Sequence, residues 1–219
     1  MVISIGKNEL YQMIMRQLEN LLVFDRKTES DELREIMDRA LVDLEACFSK
    51  LSHFYLWKDG VLVFHPFHTC QNAVLIYLMS RVALTKFNNQ SLAERLYFLN
   101  KILHSIDIFY EVSLPSVWYC DHPLGSVMGR ASYSDFFFFS QNCTVGGNYD
   151  RYPSFGEKVM LMAGVSIIGN CHIGGNTFFS TQTFVRDQDV PDDVVVFGRS
   201  PDLSFKDISK FDLDKFKVW

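Results

Sequence analysis

The sequence carries no excess of basic residues: 21 Lys and Arg stand against 26 Asp and Glu, a formal charge of −5. A nucleic-acid partner leaves a basic footprint, so none is expected. Long apolar runs are missing too. The runs at 74–79 and 136–139 fall far short of the roughly 18–20 residues that span a bilayer, so no membrane span is expected. The opening stretch MVISIGKNELYQ lacks the basic start, apolar core and small-residue cleavage site of a secretory signal. The chain is therefore expected in the cytoplasm. Cysteines are few and scattered: Cys47, Cys70, Cys120, Cys143 and Cys171 form no CxxC pair and have no His at ligand spacing. An odd, dispersed set reads as free thiols and excludes a disulfide framework. Cys120, close to His122, reads as a small buried residue rather than a nucleophile.

What is present is an ordinary globular composition, 48% hydrophobic and 21% charged over 219 residues, enough for one large domain or two small ones. The chain changes character near residue 105. Before it the apolar period is helical. Leu10, Met13, Ile14, Leu18 and Leu21 fall on one helix face. Ser30 is placed to cap a second helix, whose stripe is Leu33, Ile36, Met37, Ala40, Leu41, Leu44 and Phe48. Asp59-Gly60 marks a turn. A third helix is expected over 67–84, a break at Asn88 and Asn89, and a fourth helix over 91–104. His53, His65 and His68 read as helix-face or loop histidines. The expected division is a helical domain at 1–104, a second domain at 105–200 and a tail at 201–219.

After residue 105 the period becomes six. Aliphatic or aromatic residues fall at Val127, Tyr133, Phe139 and Val145, then at Phe155, Leu161, Ile167, Ile173, Phe179 and Val185. A second ladder of small or β-branched residues, Val159, Val165, Cys171, Thr177 and Thr183, lies four places after the corresponding members of the first. Neither an α-helix nor an alternating strand produces this double ladder. A parallel β-helix does, with one short strand and one turn per hexad. The first ladder fills the interior and the second tucks into corners; stacked coils then share one core. The fold class is therefore α+β, helices followed by a parallel β-helix.

Between Val145 and Phe155 the spacing is ten residues instead of six, so four extra residues must leave the prism. The loop they form holds Gly146-Gly147-Asn148-Tyr149-Asp150-Arg151-Tyr152-Pro153. These are turn residues. However, repeat proteins tend to carry insertions on the binding face, and an Arg among them is a natural anion clamp.

The stretches SIDIFYEVSLPSVWYCDHPLGSVMGRASYSDFFFFSQNCTVGG and DRYPSFGEKVMLMAGVSIIGNCHIGG resemble the bacterial serine acetyltransferases. The likeness is clear over 105–197 and weaker over 64–104. It implies a helical domain followed by a left-handed parallel β-helix, and acetyl transfer from acetyl-CoA to a serine hydroxyl. The family's catalytic His follows an Asp just before a hexapeptide run, which Asp121-His122 matches. Its dyad carboxylate lies fifteen residues earlier in an Asp-Ile context, which Asp107-Ile108 matches. The chemistry asks for such a pair. A hydroxyl attacks only when a base takes its proton, and a carboxylate fixes the imidazole tautomer and stabilises the imidazolium.

The resemblance further implies a pantetheine groove beside Gly146, Ala163, Gly164 and Thr181. The family's Asn-Pro-Ala-Arg segment near the CoA phosphates reads Arg199-Ser200-Pro201-Asp202 here, leaving Arg199 or Lys206 as the cations. On the acceptor side the family's Asp-Arg-His-Pro reads Asp150-Arg151-Tyr152-Pro153. Arg151 persists, Tyr152 replaces a His, and Asp121 is placed to hold an ammonium or hydroxyl. Relatives of this kind also acetylate sugars of surface polysaccharides, so serine and a carbohydrate both stand as acceptors. A β-helix used only for assembly is the third reading; the presence of both Asp107 and His122 argues against it. Only His122 and His172 lie in the β-helix half, too few for a three-histidine zinc site, so no metal is expected.

Phe136 and Phe138 are expected to face outward, with Phe139 inward and Phe137 at a corner. An exposed apolar patch there would mark an interface, and the resemblance implies a homotrimer or a dimer of trimers. The tail residues Phe205, Ile208, Phe211, Leu213 and Phe216 are expected to pack on that assembly. The tail lacks the terminal Ile by which some serine acetyltransferases dock on cysteine synthase, so no such complex is expected.

Overall fold

A computed structural model describes residues 1–213 and 218; Phe216 of the expected tail cluster lies outside the described residues. The chain divides into two compact units, Met1–His104 and Ser105–Trp219. Among the described residues no helix is long and apolar enough to cross a membrane.

The first unit runs β1 (Val2–Ile3), α1 (Lys7–Leu21), α2 (Arg26–Phe48), β2 (Trp57–Lys58), β3 (Val61–Phe64), α3 (Thr69–Phe87) and α4 (Gln90–His104). Leu10, Ile14 and Leu18 of α1 are buried at four-residue steps, and the whole apolar stripe expected for α2 is buried. The α2 cap is Asp25, not Ser30. Its side chain accepts from the Lys27 amide, and its own amide donates to Glu29 Oε2 at 2.8 Å. This reciprocal bond satisfies two terminal amides and starts the helix a turn early. Asp59 and Gly60, at φ 52° and 76°, close the β2–β3 hairpin with a two-residue turn. Asn88 ends α3 in the left-handed region, and the Asn89 side chain accepts the Leu92 amide at 2.9 Å to start α4. A paired contact from Arg95 Nη1 and Nη2 to Glu29, at 3.0 and 2.5 Å, ties α4 to α2.

The second unit is a parallel β-solenoid of three-sided coils. The first face stacks β4 (Trp118–Cys120), β6 (Phe137–Phe139), β9 (Val159–Leu161), β12 (Thr177–Phe179) and the start of β14 (Val194–Arg199). The second stacks β5 (Val127–Met128), β7 (Thr144–Gly146), β10 (Ser166–Ile168), β13 (Phe184–Arg186) and the end of β14. The third stacks Ser132, β8 (Ser154–Phe155), β11 (His172–Ile173) and Val190. A final strand, β15 (Asp202–Asp207), pairs antiparallel with β14. The tail residue Phe211 lies 6.1 Å, ring to ring, from Phe197 of β14.

The first ladder lines the interior: Phe139, Leu161 and Phe179 from the first face, Val145, Ile167 and Val185 from the second, Phe155 and Ile173 from the third. The second ladder is buried throughout. Its polar members satisfy corner carbonyls: Thr183 Oγ1 donates to Ser180 O at 2.7 Å and Thr177 Oγ1 to Gly174 O at 3.1 Å. That is why a small or β-branched donor suits the position.

Two expectations are corrected. Val127 is not an interior residue: it is 39% exposed, and the buried neighbour Met128 pairs with Val145. The six-residue count slips because Cys120 and Met128 are eight apart around one corner, while Met128 and Tyr133 are five apart around the next. Nor does Phe138 present an exposed patch. It points away from the prism axis yet is 4% exposed, in a column with the buried Tyr119, Met160, Phe178 and Val195. Phe136 is half-buried. Phe136 and Phe138 therefore form no exposed apolar patch that would mark an interface.

Candidate active site

The edge between the first and second faces is a column of corners joined by backbone hydrogen bonds. Asn142 donates to Leu124 O, Gly164 to Gln141 O, and Gln182 to Ala163 O, each at 2.9 Å. Gly125, Asn142, Gly164 and Gln182 turn these corners at φ 69°, 57°, 75° and 64°. The lowest corner is the one lengthened by two residues, and it carries Asp121–Pro123, of which Pro123 is buried. His122 sits at φ 47° in this corner, with 73% of its side chain exposed. Its Nε2 lies 3.8 Å from Asp121 Oδ2. Ala163, Gly164 and Thr181 stand on the same edge, one corner above another.

Asp107 is half-buried one coil below. Its amide donates to Ser126 O and its carbonyl accepts from Met128 N, both at 2.9 Å, so its backbone registers with Val127 rather than with His122.

The remaining candidates are elsewhere. Gly146 pairs with Ile168 at the edge between the second and third faces. There the extra residues leave the prism as a hairpin turn. Asn148 and Arg151 exchange backbone hydrogen bonds of 2.9 and 3.2 Å, with Tyr149 and Asp150 both in the left-handed region between them. That is the geometry of a tight two-residue hairpin turn. Arg151 is 54% exposed and its Nη2 lies 3.9 Å from Asp187 Oδ1. Arg199 and Lys206 belong to the β14–β15 pair that closes the last coil. The Arg199 guanidinium lies 4.8 Å from the Phe184 ring centroid and the Lys206 ammonium 5.2 Å from that of Phe197. Four coil steps of about 4.8 Å, roughly 19 Å, separate the level of His122 from that of Arg199.

Three residues at these sites were not singled out from the sequence. Asp187 accepts from the Asn170 amide and the Asn148 carboxamide; these bonds, with Arg151 and Arg186 nearby, hold its carboxyl below the usual carboxylate range. Arg186 and Gln188 line a cleft with Phe184, Ser200 and Pro201. A charged or amide side chain at or beside a corner resembles any solvated one in a sequence, so no signal marks them. His172 is exposed, with Nδ1 2.9 Å from Asp189 Oδ1 on the third face. All five cysteines are free and buried, and burial pushes the Cys143 and Cys171 thiols up. Among the described residues no group of three or more His, Cys, Asp or Glu is placed to hold a metal ion.

Chemically, an exposed imidazole beside a carboxylate can take a proton from a hydroxyl. The edge above it offers small residues and turn backbone to an extended ligand. The hairpin offers a guanidinium to an anion.

No family model matches the chain. In sequence it is 29% identical over 175 residues to a serine acetyltransferase of Haemophilus influenzae, covering 76% of this chain and 62% of that protein. It is 31% identical over 105 residues to a serine acetyltransferase of Synechococcus elongatus, covering 46% and 43%. The chain thus spans less than two thirds of the length of these relatives. A third, from Buchnera aphidicola, is 29% identical over 187 residues, covering 81% and 70%. Among solved structures, the serine acetyltransferase of Neisseria gonorrhoeae aligns with a TM-score of 0.70 at 20% identity, covering 94% of this chain and 80% of that one. A serine acetyltransferase in complex with CoA aligns with a TM-score of 0.66 at 21% identity, covering 90% and 83%. In sequence over most of its length, and in fold over nine-tenths of it, this chain is similar to the serine acetyltransferases, proteins of the hexapeptide-repeat, left-handed β-helix class.

Proposed function

We propose that this protein is an acetyl-CoA-dependent O-acetyltransferase whose acceptor is L-serine and whose general base is His122. The observation that carries the reading is the likeness to three curated serine acetyltransferases; the Asp-His pair stands on the corner of the first edge that is lengthened by two residues. No observation here favours a polysaccharide acceptor.

His122 takes the hydroxyl proton as the serine oxygen attacks the thioester carbonyl, and returns it to the departing CoA sulfur as the tetrahedral intermediate collapses. Asp107 supports the imidazolium formed in between. The edge above His122, with Ala163, Gly164 and Thr181, receives the pantetheine arm; Gly146 lines the groove from a second edge. Arg199 and Lys206, about 19 Å up the prism, stand at a height suited to the phosphates. Asp121 and Arg151 hold the ammonium and carboxylate of serine, with Tyr152 beside them.

His122 and Arg151 stand on different edges of one prism. A site that uses both is complete where the His122 edge of one prism meets the Arg151 edge of another, which supports a homotrimer. Thiol release from acetyl-CoA tests the activity. L-serine should release thiol, and neutral sugars should not. Arg151→Ala should raise the KM for serine roughly 10–150-fold, the worth of a charged hydrogen bond. The KM for acetyl-CoA should hardly move. No thiol release with L-serine would overturn the assignment.

A further inference from the structure

Both paired residues of the ejected hairpin turn converge on one carboxylate from a later coil. Asp187 follows β13 and turns at φ 46°. Its Oδ2 accepts from Asn148 Nδ2 at 2.7 Å, and its Oδ1 accepts from the Asn170 amide at 2.9 Å. Arg151 Nη2 lies 3.9 Å from Oδ1, and Arg186 Nε lies 3.7 Å from Oδ2. Gly169 lies beneath the junction. A Cβ there would collide with Oδ1 of Asp187 and stand 2.9 Å from the Asn148 Cβ, and φ is +85°. The absent side chain is what lets the carboxylate reach the hairpin.

The contacts are unequal, and the inequality decides what Asp187 does. Asn148 is held by a short hydrogen bond. Arg151 is beyond hydrogen-bond reach, so its donors stay available to a ligand. The carboxyl is held below the usual carboxylate range, first by the Asn170 amide and then by Asn148, so the latch stays ionised at neutral pH.

We propose that Asp187 is the positioning residue of the acceptor loop: through Asn148 it fixes the hairpin so that the Arg151 guanidinium is presented to the acceptor's carboxylate. The role in binding rests on the reading of Arg151 as the acceptor clamp; the fixing of the hairpin does not.

The experiment compares wild type, Asp187→Ala, Asp187→Asn, Gly169→Ala and Arg151→Ala. KM and kcat are measured for L-serine and acetyl-CoA, and amide hydrogen exchange is followed at Asn148 and Arg151. Asp187→Ala should raise the serine KM roughly 10-fold, since a misplacement of about 1 Å can cost up to about 100-fold. The KM for acetyl-CoA and the kcat at saturating serine should stay within about threefold, and exchange at the two hairpin amides should quicken. Asp187→Asn, which can keep one of the two hydrogen bonds, should recover part of the effect. Gly169→Ala pushes the carboxylate aside while keeping its charge, and should reproduce the shift should Asp187→Ala not fold. A serine KM unmoved in Asp187→Ala, with Arg151→Ala raising it, overturns the proposal. So does a serine KM that falls in Asp187→Asn, because Asp187 would then only compete with substrate for Arg151. A serine KM unmoved in Arg151→Ala removes the clamp reading itself. Exchange then decides: quickened hairpin amides in Asp187→Ala uphold the latch, and unchanged ones overturn it.

Discussion

The ring of Tyr152 lies against Gly147 so closely that a Cβ at Gly147 would stand 2.6 Å from its Cε1 and 2.9 Å from its Cδ1. Tyr152 is therefore part of the packing of its own loop as well as a candidate for the acceptor. Gly147→Ala should displace the ring and raise the serine KM without affecting acetyl-CoA. Tyr152→Phe keeps the ring in place and removes only the hydroxyl. Loss of one neutral hydrogen bond to the acceptor, about 1 kcal/mol, should raise the serine KM about fivefold at unchanged Tm. An unchanged KM in Tyr152→Phe would confine Tyr152 to holding the loop.

The His122 assignment makes a prediction about kcat. His122→Ala should lower kcat about 10²–10⁴-fold, the usual worth of a general base. Asp107→Asn should cost less and leave the fold intact, because the backbone bonds of Asp107 to Ser126 and Met128 do not involve its carboxylate. A His122→Ala protein with most of its activity would remove His122 from the mechanism.

How much of this was legible in the sequence depends on what a repeat can reveal. The ladder from Phe139 to Val185 is readable because each interior residue recurs after a fixed turn. The ten-residue gap before Phe155 likewise revealed the ejected hairpin that carries Arg151. Val127 was misread where two irregular corners, one long and one short, nearly cancel; counting by six cannot see them. The long one is the His122 corner, so the irregularity that hid the register is the feature that projects the imidazole. Phe138 shows a second limit: alternation along a strand says which way a side chain points, but not whether that face is covered. Ser30 was a plausible cap by type, but the Asp25–Glu29 reciprocal bond lies a turn earlier and wins. Asp187 had no signature, because its partners come from other coils and meet only in three dimensions.

The separation of His122 and Arg151 onto different prism edges predicts complementation between subunits. His122→Ala and Arg151→Ala proteins, each impaired alone, are denatured together, refolded and assayed at low serine. Random mixing in the proposed trimer pairs some intact His122 edges with intact Arg151 edges, so activity should rise well above the mean of the two parents. Activity equal to that mean, with mixed trimers verified by mass spectrometry, would place both residues of a site on one chain.

The first unit predicts its own pH dependence. His104 is the last residue of α4, where the helix dipole would favour a protonated ring by up to about 2 kcal/mol. Burial acts against this. His104 is 7% exposed, its Nε2 lies 2.9 Å from Asn72 Oδ1, and its Nδ1 is buried without a hydrogen-bond partner among the described residues. Burial prevails and lowers the pKa from 6.5 to about 4. The unfolded chain therefore takes up a proton near pH 6.5, whereas the folded one resists until about pH 4. Stability from keeping this ring neutral is fully present above pH 6.5, and it is lost progressively as pH falls towards 4, by about 3 kcal/mol in all. Glu29, held below its ordinary value of 4.5 first by Arg95, begins to lose its contribution only as pH falls through that value, so its window opens where that of His104 is nearly closed. His104→Leu should cost about 1–3 kcal/mol at neutral pH by leaving Asn72 Oδ1 bare, yet flatten the slope between pH 6.5 and 4. Urea unfolding followed by the helical circular-dichroism signal at several pH values reads both effects. An equal slope in wild type and His104→Leu would show that other groups carry the acid sensitivity.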